Sequence, residues 1–327
     1  MESPVGAELC FPQLLNTSCR KPTLPWSEAV LLNILLSSVS LLTVSLNLLV
    51  IISVSYFRQL HTPTNILLLS LAVSDFLVGL VVMPGELLRK TACWYLGDLV
   101  CTFYSTVSYI ITSASIGDMV LISVDRYLAI CDPLRYPTKV TLPKVKGCVL
   151  LCWLCSVLYC SLFLKDDLTR SGRDNFCYGQ CVVVVNSIAG AADLVLNFIA
   201  PVTVIIVLNL RVFVVAVSQA RAMRSHITAV TLQHSVTLTT KKSELKAART
   251  LGVLVVVFLI CFCPYYCVLL AGNKGFNDSS YVLYLFLFNS CLNPVIYALF
   301  YPWFRNSVKL IVTLQILQPG LCEIKVL

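Results

Sequence analysis

The chain has 327 residues, 58% of them hydrophobic and 12% charged, with a formal net charge of +8. Soluble domains carry about 25% charged residues, so the composition excludes a soluble enzyme or binding module and identifies an integral membrane protein. A nucleic-acid reading needs a soluble basic face, and the sequence offers none.

Residues 1–28 contain Pro, Cys and charges but no apolar run behind a basic start, so no cleavable signal peptide is expected and the first span serves as its own insertion signal. A span needs about 20 apolar residues. Seven segments qualify, near 29–56, 64–89, 99–131, 145–164, 186–218, 245–271 and 279–300. The loops "YFRQLHTPT", "DPLRYPTKVTLPKVK" and "QARAMRSHITAVTLQHSVTLTTKKSELKAAR" fall on one side with the tail, and that side holds 16 of the 24 Lys and Arg residues. The positive-inside rule then puts the N-terminus outside and the tail in the cytoplasm. The expected fold is all-α: a seven-transmembrane bundle over 29–300, an extracellular N-terminus over 1–28 and a cytoplasmic segment over 301–327. In that last segment "YPWFRNSVKLIV" reads as a short amphipathic helix lying in the interface, and Cys322 is a palmitoylation candidate.

Most of the sixteen cysteines sit inside spans, where a thiol behaves as a small apolar residue. Cys10, Cys19, Cys93, Cys101, Cys177 and Cys181 fall outside or at the outer border, in an oxidising compartment where they can pair, although spacing alone does not give the connectivity. Asn16 in "NTS" is a glycosylation acceptor on the outer side; Asn277 in "NDS" lies too close to the membrane.

Three acids fall inside the spans away from their ends: Asp75, Asp118 and Asp193. A carboxylate at a helix centre costs about 2.5 to 3.5 kcal/mol on insertion scales, so each calls for a partner. Asp193, Asn197 and Pro201 recur at i, i+4 and i+8, one face of a regular helix. Asp193 also lies about 10 Å below Asn186 at 1.5 Å per residue, within reach of water and a ligand. Two readings stay open: Asp193 holds a ligand cation, or it snorkels outward or pairs with a loop cation such as Lys165 or Arg173. Asp118, ten residues after Ser108, is rotated away from the face that Ser108 presents and is expected to be hydrogen-bonded and structural. Glu86, just beyond Pro84, is read as a solvated rim charge, with the far ammonium of a diamine as the alternative partner.

In the third span "SVDRYLAI" places Asp125, Arg126 and Tyr127 at the cytoplasmic border, where charges also snorkel to headgroups. The seventh carries "NSCLNPVIYALFYPWF", with Asn293, Pro294 and Tyr297 in an NPxxY pattern; Pro294 removes a donor and frees a carbonyl that polar neighbours must satisfy. With Asn47, "LAVSD" containing Asp75, Cys101, Trp153, Pro201 and Pro264 in order on the right spans, the chain resembles rhodopsin-like G-protein-coupled receptors. That resemblance implies that Arg126 is held by Asp125 and by Glu244 at the base of helix six until a G protein engages. It also implies that Asp75, Ser115, Asn289, Ser290 and Asn293 form a sodium-binding cluster, for which a water-mediated network is the alternative. Ile116, Pro201 and Phe258 match the triad that repacks on activation. Cys101 would join Cys181, and Cys177 would tie back to the N-terminal segment, with Cys19 preferred to Cys10.

The string Asn289, Ser290, Asn293, Pro294, Tyr297, Tyr301, Trp303 and Phe304 fits the fingerprint NSxxNPxx(Y/H)xxxYxWF, and the chain is identified on it as a member of the trace amine-associated receptors. Such receptors hold the ligand ammonium with an aspartate seven residues after the cysteine that opens helix three; that position is Ser108 here. A hydroxyl cannot neutralise a buried cation. The sequence is similar in this respect to a fish-specific branch in which the acid has moved to helix five, the place of Asp193. Family positions add Thr112, Tyr265, Tyr266, Phe286 and Leu287 to the pocket, where tyrosine rings supply cation–π attraction of about 0.5 to 2 kcal/mol. Phe262 stands where most members have a tryptophan that toggles on activation, and Asn209 replaces a tyrosine that stabilises the active state.

The implied function is a plasma-membrane chemosensory receptor of olfactory neuron cilia for an amine, coupled through a stimulatory G protein to cyclic AMP, with no cofactor beyond the sodium ion. A neurotransmitter-type amine receptor is the alternative, and Ser108 argues against it. A transporter tends to show paired inverted repeats, and none is visible; an intramembrane hydrolase needs paired acids, an activated serine or a metal site, and the spans hold no such set.

Overall fold

The computed structural model describes residues 8–14, 17–21, 25–163, 177–182, 187–227, 235–270 and 280–315, with side chains excluded at 220, 223–251, 269 and 280. Among these residues the architecture is helical, and pairing between extended segments is limited to two isolated bridges, Leu9 with Arg20 and Ser18 with Tyr178.

Helix α1 spans Trp26–Tyr56. Helix α2 runs through Pro63–Leu77, a π-turn at Val78–Val82, and Met83–Thr91. Helix α3 spans Gly97–Cys131, and a one-turn helix at Tyr136–Lys139 leads into α4, Leu142–Phe163. Helix α5 is built from Ser187–Asp193, a π-turn at Leu194–Ile199, and Ala200–Ile227. Helix α6 spans Ser235–Leu270, α7 spans Ser280–Phe300, and α8 spans Pro302–Val312. The expected bounds differ from the observed helices mainly at α5, which runs nine residues further, to Ile227, and at α6, which begins ten residues earlier, at Ser235, both on polar sequence that apolarity does not reveal.

Polarity is inverted relative to a soluble bundle. Large apolar side chains such as Leu41, Leu150, Phe213 and Leu299 point outward, each more than 60% exposed, whereas Thr43, Asn47, Ser74, Asp75, Asp118 and Asn293 are completely buried. Lipid cannot satisfy a hydroxyl, amide or carboxyl, so these groups turn inward, and several bond across helices. Asn47 Nδ2 donates to the carbonyls of Thr43 at 2.9 Å and Ser290 at 3.0 Å, tying α1 to α7. Trp153 Nε1 donates to Ser70 Oγ at 3.1 Å, and Ser70 Oγ donates to Asp118 Oδ2 at 2.8 Å, which joins α4, α2 and α3.

Both π-turns stand just ahead of a proline, Pro84 or Pro201. Proline lacks the N–H that an α-helix needs there and crowds the preceding carbonyl. One extra residue in the turn relieves this and rotates everything beyond it by about 100°. The outer ends of α2 and α5 therefore face directions that regular periodicity does not give.

On the outer side three disulfides, Cys10–Cys93, Cys19–Cys177 and Cys101–Cys181, bind the N-terminal segment and the loops to the top of α3. Cys19 is thus the partner of Cys177, and Cys10 takes Cys93, a bond that the sequence reading left unassigned. Backbone bonds complete the cap: Cys19 N–H to the Tyr178 carbonyl at 2.8 Å, and Trp94 N–H to the Gly179 carbonyl at 2.9 Å. Gly179 has φ +107°, and a Cβ there would lie 2.6 Å from Cβ of Cys10. Only glycine fits that conformation and that closeness. Asn16, Asn277, Cys322, Lys165 and Arg173 lie outside the described residues.

On the inner side α8 buries Trp303 and Phe304 in the main apolar core beside Tyr297, while Arg305 Nη1 donates to the carbonyls of Ala298 and Leu299, which α7 leaves open at its C-terminal end.

Candidate ligand-binding site

Beneath the disulfide cap lies a cavity of about 370 Å³, walled by α2, α3, α5, α6 and α7. Ser108, Thr112, Asp193, Tyr265, Tyr266, Phe286 and Leu287, the residues that family positions assign to the pocket, all line it. Glu86, Arg89, Tyr104, Ser105, Tyr109, Ser113 and Asn197 line it as well.

Asp193 is the last residue of the first α5 segment, half-buried on this wall. Its Oδ1 accepts the Tyr159 hydroxyl at 2.9 Å and Asn197 Nδ2 at 2.7 Å; Asn197 Oδ1 in turn accepts the Ser113 hydroxyl at 3.3 Å. Neutral donors from α4 and α5 thus hold the carboxylate without neutralising it. Among the described residues no lysine or arginine comes within ion-pair distance of Asp193. Tyr159 was not foreseen: it sits in "SVLYCSLF", an apolar stretch in which a tyrosine reads as packing.

Glu86 corrects the expectation of a solvated rim charge. The π-turn of α2 carries it inward, where it is 7% exposed, accepts the Tyr104 hydroxyl at 3.0 Å and pairs with Arg89 Nη1 at 3.3 Å. Gly85 makes room for this arrangement, because a Cβ there would lie 2.1 Å from the Tyr104 ring.

Below the cavity floor the aromatic rings form a continuous column. Phe198 stacks on Tyr266 at 4.3 Å, Phe262 packs against Phe286 at 4.2 Å and stacks on Phe258 at 4.4 Å. Ile116 and Phe258 are almost fully buried in the same core, and Pro201 is half-buried on α5. Pocket-lining rings are therefore in van der Waals contact with the middle of the bundle.

Deeper still, Asn293 Nδ2 donates to Asp75 Oδ2 at 2.7 Å. Buried oxygen acceptors suit a hard cation. Groups of His, Cys, Asp and Glu fit for a transition metal are absent among the described residues.

At the cytoplasmic end Arg126 donates to Asp125 Oδ2 through Nε at 3.0 Å and Nη2 at 2.6 Å. Two residues with no role in the sequence reading complete the arrangement. Thr64 Oγ1 donates to Asp125 Oδ2 at 2.9 Å and also contacts Arg126 Nη2, and the Tyr136 hydroxyl donates to Asp125 Oδ1 at 2.8 Å. Burial keeps the Tyr136 phenol above its ordinary pKa, so it remains a donor. Tyr127 is half-buried beside them, and Tyr297 is 1% exposed in the adjoining core. The side chain of Glu244 lies outside the described residues. Asn209 Nδ2, on α5, donates to Ser123 Oγ on α3 at 3.1 Å.

Residues 46–297 match the family profile described as 7 transmembrane receptor (rhodopsin family). The chain is 36% identical to trace amine-associated receptor 13c of Danio rerio, with 97% of this chain and 96% of that one aligned. It is 38% identical to trace amine-associated receptor 8a of Rattus norvegicus over 97% and 95% of the two chains, and 36% identical to trace amine-associated receptor 1 of Mus musculus over 90% and 92%. Matched nearly end to end, with the cavity, the Asp125–Arg126 pair and the Asn293–Asp75 contact in the order that the motifs imply, the chain belongs to the trace amine-associated receptors, multi-pass receptors of the rhodopsin family.

Proposed function

We propose that this receptor senses a protonated amine whose ammonium is held by Asp193, and that it signals through a stimulatory G protein to cyclic AMP in the cilia of olfactory neurons. The observation that carries the reading is the carboxylate of Asp193 on the cavity wall, oriented by Tyr159 and Asn197 and lacking a cationic partner among the described residues. An ammonium there gains a charge-assisted hydrogen bond in a site that the cap partly closes from water. Ser108, which lines the same cavity from α3, supplies a hydroxyl and no charge. Engaging Tyr265, Tyr266 and Phe286 moves the aromatic column at Phe262 and Phe258, and the shift of α6 frees Arg126 for the G protein. Asp75, Ser115, Asn289, Ser290 and Asn293 would hold a sodium ion, which neutralises Asp75 and stabilises the resting bundle.

Cyclic AMP accumulation in cells expressing the parent and Asp193→Asn at matched surface level, across a panel of amines, tests the reading. An amine that activates the parent and not the variant supports it; equal responses remove Asp193 as the ammonium partner. The sodium assignment is tested separately: replacing sodium with choline changes amine affinity in the parent and not in Asp75→Asn.

A further inference from the structure

The three outer disulfides close a single covalent path. Cys10 joins Cys93, the chain runs on to Cys101, Cys101 joins Cys181, the chain leads back to Cys177, Cys177 joins Cys19, and the chain returns to Cys10. Segments 10–19, 93–101 and 177–181 are therefore links of one closed collar. Residues 15 and 16 lie outside the described residues, and the collar follows from the covalent path that passes through them. Removing any one disulfide opens it. Without Cys10–Cys93, the other two bonds make only a linear tether from the N-terminal segment to α3.

Hydrogen bonds brace the collar across its middle. Cys10 N–H donates to the Cys19 carbonyl at 2.9 Å, Cys19 N–H to the Tyr178 carbonyl at 2.8 Å, Tyr178 N–H to the Thr17 carbonyl at 2.7 Å, and Trp94 N–H to the Gly179 carbonyl at 2.9 Å. Every link is thus bonded to another link. The collar also reaches the cavity: Trp94 packs on Tyr104 at 5.8 Å between centroids, in one buried cluster with Cys101 and Cys181. Tyr104 lines the cavity, and so does Val182, the residue after Cys181. Moving the collar therefore moves the outer wall of the cavity. Cross-links act by removing the open arrangements of a loop, and segments bonded to one another open as one cooperative unit.

We infer that the three disulfides work as one collar that controls entry to the cavity, and that Cys10 and Cys93 are positioning residues whose bond turns a tether into a closed collar. The inference is independent of Asp193 and of which residue meets the ligand.

The test uses full-length receptor in nanodiscs carrying Thr112→Cys on the cavity wall. Methanethiosulfonate ethylammonium is the entering probe, and its adduct at position 112 is read by peptide mass. One form has a protease recognition sequence inserted between Gln13 and Leu14, in an exposed turn of the collar; a second has it ahead of Glu8, outside the collar. Both are purified intact and cut afterwards, and the uncut form of each is its folding control. The inner cut leaves every disulfide in place, yet accelerates labelling by about tenfold or more, since closing a loop of this length typically shifts an opening equilibrium by more than that factor. The outer cut leaves the rate unchanged. Cys10→Ser combined with Cys93→Ser opens the collar without any insertion and reaches the same accelerated rate. Adding the inner cut to that pair changes nothing further, because a collar opens only once. An unchanged rate after the inner cut or in the disulfide pair, equal acceleration by both cuts, or a further several-fold gain on cutting the pair would each overturn the collar and leave three independent straps.

Discussion

The Tyr159 hydroxyl on α4 donates to Oδ1 of Asp193 on α5 at 2.9 Å, and Asn197 donates to the same oxygen from one turn below. Two donors on one oxygen, from two helices, fix the orientation of the carboxylate. Hydrogen bonds to charged groups contribute about 1.5 to 3 kcal/mol. Tyr159→Phe is therefore expected to reduce amine potency by about tenfold or more, with maximal response and surface level retained. Concentration–response curves for cyclic AMP check this; an unchanged curve would show that Tyr159 only packs.

Thr64 bridges the two members of the Asp125–Arg126 pair from α2. Thr64→Val keeps the shape and removes the hydroxyl, so Asp125 loses a donor and Arg126 a contact. Release of Arg126 becomes easier, and agonist-free cyclic AMP is expected to rise several-fold at equal surface expression. Tyr136→Phe, which removes the donor to Asp125 Oδ1, should act in the same direction.

Phe262 has ring contacts with Phe258 and Phe286. Aromatic pairs contribute about 0.5 to 1.5 kcal/mol each beyond their buried area. In Phe262→Leu the side chain stays apolar but the rings lose contact, so maximal response should fall while half-maximal concentration changes little. A fall in potency with intact maximum would place Phe262 in binding and not in transmission.

Gly179 connects the second outer loop to the N-terminal cap at a point where Cβ atoms cannot fit. Gly179→Ala combines a left-handed backbone, unfavourable by about 1 to 3 kcal/mol, with a collision against Cys10. Surface labelling should show much reduced receptor, and the detergent-solubilised variant should melt at lower temperature. Normal expression would mean that the loop relaxes without cost.

Much of this was legible in the sequence because lipid imposes simple rules. Apolar length pointed to the seven spans, and the residues around Asn293 and Arg126 stood in fixed spacing. Glu86 was misjudged for a definite reason: its orientation depends on the π-turn before Pro84, and a periodicity of 3.6 carries no trace of an inserted residue. Tyr159, Thr64 and Tyr136 were missed because a lone hydroxyl among apolar residues looks the same whether it packs or bonds to an acid on another helix. The pairing of Cys10 with Cys93 needed the folded cap, since spacing leaves connectivity open.

The π-turns ahead of Pro84 and Pro201 divide α2 and α5 into two lengths that face independently. Substitutions in the outer length alter what is recognised, and the inner length, with Asp75 on α2 and Asn209 on α5, retains its alignment with the bundle. A change of ligand then requires only a few residues above the turn, so a single scaffold can diversify at its mouth while the opposite surface of the bundle stays the same.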